Sequence, residues 1–327
     1  MIEVWTEKYR PQKLTEIEGQ SNITNRLRAF VKSQNFPHLL FAGPAGVGKT
    51  TAALAIAREL FGENWRDSFL ELNASDSRGI DVVRNNIKEF SKTKSIRDDI
   101  PFKIIFLDEA DALTKEAQDA LRRIMEDYVR TVRFIMSCNY SSKIIAPIQS
   151  RCAIFRFEPL NQGIVASILN KIAENEKFKI DKDAIELLYD ASEGDMRKAE
   201  NLLQACAAVE RTVINDSDWK CITRDTVKEV VSFAEPKEIE LIVKTALAGN
   251  FLQAKERLNE VIVRHGLSGL DVIKQIQKET WKLDIEERHK LELTRLCGEF
   301  EFRMVEGSNE FIQLAALLAE FAKLKSI

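Results

Sequence analysis

Up to Pro159 the chain alternates short apolar runs with stretches of helical spacing. The runs are HLLFA (38–42), SFLEL (68–72), KIIFL (103–107), VRFIMS (132–137) and AIFRF (153–157). Apolar runs of this length, interrupted by helical periodicity, predict parallel strands buried on both faces by helices. After Pro159 no further strand is expected. From Gln162 to about Val231 the apolar positions fall at helical spacing, as in Ala184, Leu187, Leu188 and Ala191, and in Ala199, Leu202, Leu203 and Cys206. Glu235-Pro236 breaks that pattern, and further amphipathic helices follow, punctuated by Gly249-Asn250, Gly266 to Gly269 and Gly307-Ser308-Asn309. The expected architecture is α/β, a P-loop parallel sheet with helices on both faces (1–160), followed by a small helical lid (161–232) and a helical C-terminal domain (233–327).

Composition narrows the class. With 327 residues and 45% hydrophobic content the chain can bury sizeable cores. No apolar run approaches the roughly 18 residues that cross a bilayer, and the first twenty residues carry Glu3, Glu7, Lys8 and Arg10 rather than a signal-peptide core. No membrane partner is expected, and the protein should stay where it is made, in the cytoplasm, or in the nucleus of a eukaryote. The five cysteines are scattered without a CxxC pair, which predicts neither a disulfide framework nor a zinc site. A net charge of −3 confines any nucleic-acid contact to one local face.

Directly after HLLFA stands GPAGVGKTT, which fits G-x-x-x-x-G-K-[ST] through Gly43, Gly48, Lys49 and Thr50 and opens the helical stretch TAALAIARELF. Strand, glycine loop and helix are the context in which backbone N–H groups and a helix N-terminus wrap phosphates. Lys49 is expected on the β and γ phosphates and Thr50 on Mg²⁺. The apolar run IIFL then ends in Asp108-Glu109. Asp108 would hold Mg²⁺ through water, and Glu109 would orient and polarise an attacking water. Hydrolysis of ATP with Mg²⁺ is therefore the predicted reaction.

Asp108-Glu109-Ala110-Asp111 spells DEAD, the letters of a class of RNA helicases. Such a helicase needs a second strand-helix domain, whereas residues 161–327 read as helices. The remaining features are SCN (137–139) ending a strand, SRC (150–152) soon after Pro147, and GDMRKA (194–199) opening a helix. Together with WTEKYRPQKL (5–14), GPAGVGKTT, LNASDSRG (72–79) and LDEAD (107–111), these motifs make the chain resemble the AAA+ ATPases. Within them it is most similar to the archaeal small-subunit family of replication factor C, the clamp loader. Ala45 stands where that family often has a second proline, and the chain begins four residues before Trp5; neither removes a functional group.

The resemblance implies roles residue by residue. WTEKYRPQKL is similar to the family's adenine-side box, so Thr6, Tyr9, Arg10, Pro11 and Ile17 are candidate walls of a base slot, with Trp5 either there or in the core. The phosphate loop comprises Gly43, Pro44, Ala45, Gly46, Val47, Gly48, Lys49, Thr50 and Thr51. Asn139 would sense the γ phosphate, unless it only caps its strand. Arg197 would bring lid charge to the same phosphate, unless it is a surface ion-pair partner. Arg151 would act as an arginine finger on a neighbouring subunit's nucleotide. The implied partners are the large subunit, other copies of the small subunit, the sliding clamp and primer-template DNA. A AAA+ remodelling ATPase without a DNA partner is the alternative.

Residues 80–94, IDVVRNNIKEFSKTK, put Val83, Ile87 and Phe90 on one helical face and Arg84, Lys88 and Lys92 on another. The basic face is either solvated or, as the resemblance implies, on a DNA backbone, with Ser75, Ser77 and Arg78 adding phosphate contacts. In KEAQDALRRIMEDYV (115–129), Ala117, Leu121, Ile124 and Tyr128 form a packing stripe. Met125 and Val129 are either core or free to dock on the clamp. The apolar FIQLAALLAEFAKL near the C-terminus suggests burial on more than one side, in a collar or within one bundle.

Overall fold

The computed structural model describes residues 4–75, 87–91, 100–213, 220–231 and 236–324. It forms two compact units, residues 1–227 and 228–327.

The first unit opens with α1 (Trp5–Lys8) and α2 (Ser21–Ser33) and is built on β1 (His38–Ala42), β2 (Phe69–Asn73), β3 (Lys103–Asp108), β4 (Val132–Cys138) and β5 (Cys152–Arg156). These make one parallel sheet in the order β2-β3-β4-β1-β5. Alternate residues feed two cores, as a pleated strand covered on both sides requires. Leu39, Phe41, Ile104, Phe106 and Ile135 pack with α3 (Lys49–Phe61) on one face. Leu40, Ala42, Ile105, Leu107 and Met136 pack on the other, with Leu121 and Ile124 of α4 (Lys115–Asp127). Strand bounds lie within a residue of the sequence expectation, because each run is bounded by polar or turn residues. Residues 87–91 are helical, with Ile87 fully buried as expected.

The lid contains α6 (Gln162–Asn175), α7 (Lys182–Ser192) and α8 (Met196–Val213), after a short α5 (Ala146–Gln149). Asn161 starts α6 by accepting the Ile164 N–H at 3.0 Å, an N-cap of the usual type. The expectation of no strands after Pro159 is corrected here. β6 (Phe178–Ile180) and β7 (Lys220–Ile222) pair in parallel as a separate two-stranded sheet. Three residues are too few to show a period of two against the surrounding helices, and the partner lies far along the chain.

Helix α9 (Arg224–Val230) leads into the second unit, which comprises α10 (Pro236–Leu247), α11 (Phe251–His265), α12 (Gly269–Thr280), α13 (Glu287–Val305) and α14 (Glu310–Lys323). One core joins Ile239, Leu258, Ile273, Leu293, Phe300 and Leu318. In α14 the buried residues Leu314, Leu317, Leu318 and Phe321 form one face. Phe311 and Ile312, part of the stretch read above as buried on more than one side, are exposed within this chain.

Candidate nucleotide-binding site

The carboxyl ends of β1, β3 and β4 meet at one edge of the sheet, where an open α/β sheet offers a crevice for ligands. β1 leads into a loop whose conformation depends on glycine at Gly46 (φ +68°) and Gly48 (φ +96°). At Gly46 the demand is also spatial, since a Cβ there would stand 1.8 Å from Asp195 Oδ1. The loop therefore brings bare backbone to the cavity, as phosphate binding needs.

Lys49 opens α3 and is buried. Its ammonium donates to the carbonyls of Gly43 and Pro44, each at 2.6 Å, and to Asn139 Oδ1 at 3.2 Å. Burial pulls the Lys49 pKa down, and the nearby charge of Asp108 opposes that pull. Thr50 Oγ1 donates to Asp108 Oδ2 at 3.0 Å. The other carboxylate oxygen accepts from the Ser137 hydroxyl and from the Glu109 N–H. Hydroxyl and carboxylate oxygens side by side are the hard donors Mg²⁺ takes, and Mg²⁺ binds through few protein ligands, with water and phosphate completing its shell. The donor set thus fits the ion. Glu109 adopts a left-handed conformation (φ 54°), a costly one for a side chain other than glycine, of the kind that recurs at functional sites.

The second acid of the DEAD stretch has its own task. Asp111 accepts the backbone N–H groups of Asn139 and Tyr140 at 3.3 and 3.4 Å, bracing the loop that carries Asn139. Neither this role nor that of Ser137 was visible in the sequence.

A cavity of about 680 Å³ joins these groups to the N-terminal segment and the lid, a size typical of small-molecule sites. Thr6, Tyr9, Arg10, Pro11 and Ile17 line it, as do Ala45 to Thr51, Asp108, Glu109, Asn139 and Arg197. Gly43 and Pro44 contribute through their carbonyls to Lys49. Trp5 is core, edge-on to Tyr9 at 6.3 Å. The Trp5 backbone N–H donates to Gln204 Oε1 at 3.0 Å, and the Tyr9 hydroxyl donates to Glu176 at 2.8 Å, so the N-terminal segment is fixed to the lid. Glu200, which sequence reasoning missed, is buried and also lines the cavity.

Arg151 does not line this cavity. It precedes Cys152, which pairs with His38 at the start of β1, whereas the phosphate loop leaves after Ala42, opposite Arg156. Four strand steps of roughly 3.3 Å each keep Arg151 on the far edge of the sheet. There its guanidinium donates to Glu126 at 2.5 Å and to the Pro147 carbonyl at 2.7 Å.

Of the residues expected on DNA, Ser75 is exposed, its N–H and hydroxyl both donating to Asn73 Oδ1 at 2.9 Å, and Lys88 lies half-buried on the helical segment 87–91. Ser77, Arg78, Arg84 and Lys92 lie outside the described residues. Of Met125 and Val129, read above as either core or free to dock, Met125 is buried in the core with Leu121 and Ile124, and Val129 is exposed. All five cysteines are free. Among the described residues no helix is long and apolar enough to cross a membrane.

Family models match in register with this architecture. The ATPase family associated with various cellular activities matches residues 39–160, the RCF1/5-like AAA+ ATPase lid domain 167–208, and the replication factor C C-terminal domain 234–320. Replication factor C small subunit of Staphylothermus marinus is 53% identical, covering 98% of this chain and 95% of the relative. That of Archaeoglobus fulgidus is 50% identical, covering 99% and 98%. This chain belongs to the replication factor C small-subunit family. It is accordingly an AAA+ ATPase and a clamp-loader subunit, which sets aside the helicase reading and disfavours a remodelling ATPase without a DNA partner. The Thermotoga maritima RuvB Holliday junction branch migration motor shares the fold, with a TM-score of 0.57 at 21% identity over 79% of this chain and 86% of RuvB.

Proposed function

We propose that ATP is held in the cavity by Lys49 and the glycine loop, that Glu109 activates the attacking water, and that the hydrolytic site is completed by Arg151 of a neighbouring copy. The observation that carries this reading is the distance between Arg151 and its own phosphate loop, which lie at opposite ends of the adjacent strands β1 and β5. An exposed arginine that cannot reach the site of its own chain can still serve the next chain in a head-to-tail assembly. Thr50 and Asp108 would hold Mg²⁺, which when bound neutralises charge on the β and γ phosphate oxygens. Asn139, hydrogen-bonded to Lys49, and Arg197, in the lining of the cavity, would register the γ phosphate. An arginine supplied in trans is worth about 10³ to 10⁵ in rate, so the isolated chain should hydrolyse slowly.

The wider reading is that ATP binding and hydrolysis drive the loading of a ring-shaped sliding clamp onto primer-template DNA, in a cytoplasmic complex with a large subunit and further small subunits. Arg84, Lys88 and Lys92, with Ser75, Ser77 and Arg78, would follow the DNA backbone. Contacts of that kind are independent of sequence and weaken with salt.

Mixing tests the shared site. Complexes made only with Arg151→Ala or only with Lys49→Ala chains should be nearly inactive, whereas mixed complexes should recover ATPase wherever an intact phosphate loop meets an intact arginine. No recovery on mixing would mean that Arg151 does not act across subunits.

A further inference from the structure

Glu200 sits on α8, three residues after Arg197 and four before Gln204, so the three share one helical face. At 1.5 Å per residue, Glu200 lies about 4.5 Å along the axis from Arg197 and about 6 Å from Gln204. The ends of this row have defined neighbours. Arg197 lines the cavity beside the phosphate loop, whose Gly46 carbonyl accepts the Met196 N–H at 3.2 Å. Gln204 accepts the backbone N–H of Trp5 in the N-terminal segment. Glu200 therefore faces the stretch of cavity between the phosphate end and the segment expected to hold the base, where a nucleotide carries its sugar.

The side chain is only 8% exposed. No hydrogen bond reaches its carboxyl among the described residues; Arg10 and Arg197 act on it only through their charge. The carboxyl oxygens keep access to the cavity, where water or an arriving ligand can hydrogen-bond them. A neutral apolar side chain would pack better there, beside Ile168, Ile172 and Met196, which line the same cavity.

Resting on the nucleotide-site reading above, we propose that Glu200 is a specificity-determining residue that accepts hydrogen bonds from the ribose hydroxyls and makes the site prefer ribonucleoside over 2′-deoxyribonucleoside triphosphate. A carboxylate can accept from both hydroxyls of a cis diol, the recognition an acidic side chain gives ribose in dinucleotide folds. A 2′-deoxy sugar loses one of these charge-assisted bonds.

Equilibrium binding of ATP, 2′-deoxyATP and GTP to the full chain tests this, for the parent, Glu200→Leu and Glu200→Gln. The parent should favour ATP over 2′-deoxyATP by about tenfold, the discrimination expected of one hydrogen bond to a charged group. Glu200→Leu, a good helix former at a buried position, should bring that ratio near one by weakening ATP alone, and Glu200→Gln should fall between. Equal weakening of both sugars, an unchanged ratio, or a change confined to ATP against GTP would overturn the assignment. Failure of the parent to bind any adenine nucleotide would instead overturn the site reading beneath it.

Discussion

The carbonyl of Gly46 accepts the backbone N–H of Met196 at 3.2 Å, and the Asp195 side chain occupies the space a Cβ on Gly46 would need. The phosphate loop and the first turn of α8 are thus in direct contact. Asp195 also accepts the Lys198 N–H at 3.0 Å, so the group packed on the loop is the one that caps the helix carrying Arg197 and Glu200. Gly46→Ala should both strain a left-handed residue and displace this cap, costing about 1–3 kcal/mol of stability. It should also weaken ATP binding. In an Asp195→Ala background the added cost should shrink, since part of the obstruction is gone. Thermal unfolding and ATP titration of the four proteins measure the coupling, and strictly additive effects would deny it.

Glu200 gives a pH signature to stability. Burial pushes its pKa up to about 7, with Asp195 and Glu7 adding to the rise and Arg10 and Arg197 opposing it. The unfolded chain titrates near the ordinary glutamate value of about 4.3. Between those values the native state binds more protons than the unfolded state, so stability falls as pH rises through the window. Glu200→Gln removes the penalty. In the absence of nucleotide the variant should gain on the parent by on the order of 3 kcal/mol between pH 4.5 and pH 8. Denaturant unfolding at both pH values checks this, and a stability difference independent of pH would contradict it.

The legible parts of the molecule were local. β1, the glycine loop and α3 are consecutive in the chain, and glycine spacing with an apolar run before and after defines them without outside information. Asp108 and Asn139 could be placed for the same reason, each ending an apolar strand. What escaped depends on contacts between distant segments. The β6–β7 pair joins residues 178–180 to 220–222. The task of Asp111 rests on its bonds to the Asn139 and Tyr140 amides, 28 and 29 residues further along the chain. Nothing in the sequence around Glu200 announces that this turn of α8 faces a cavity. For Met125 the place at the end of an amphipathic stripe leaves burial open in the sequence, and the packing of α4 on β4 decides it.

Glu109 and Lys49 should separate binding from chemistry. Lys49 is buried among carbonyl oxygens and Asn139, so Lys49→Ala removes the principal positive charge from the phosphate cradle and should abolish measurable ATP binding. Glu109→Gln keeps the shape and removes the base. It should bind ATP with near-parental affinity while assembled ATPase falls by about 10²–10⁴. Binding and single-turnover hydrolysis report the two steps independently. Equal loss of binding and hydrolysis in Glu109→Gln would assign that residue to nucleotide holding.

Arg151 and Glu126 form an ion pair on an exposed surface. Both side chains are more than a third exposed, at 38% and 40%, so solvent screening leaves the pair little to contribute to folding, typically under about 1 kcal/mol. Arg122 approaches the same carboxylate at 3.4 Å, giving Glu126 two arginines to hold. Glu126→Ala and Arg151→Ala should therefore leave the thermal stability of the isolated chain almost unchanged. In the assembled complex their effects should diverge. Arg151→Ala removes the charge offered to the neighbour and should lower ATPase by about 10³ or more. Glu126→Ala leaves that charge present but less well aimed, so a smaller loss is expected, with ATP binding untouched. Retention of full ATPase by the Glu126 variant would show that Arg151 finds the neighbouring nucleotide without this guide.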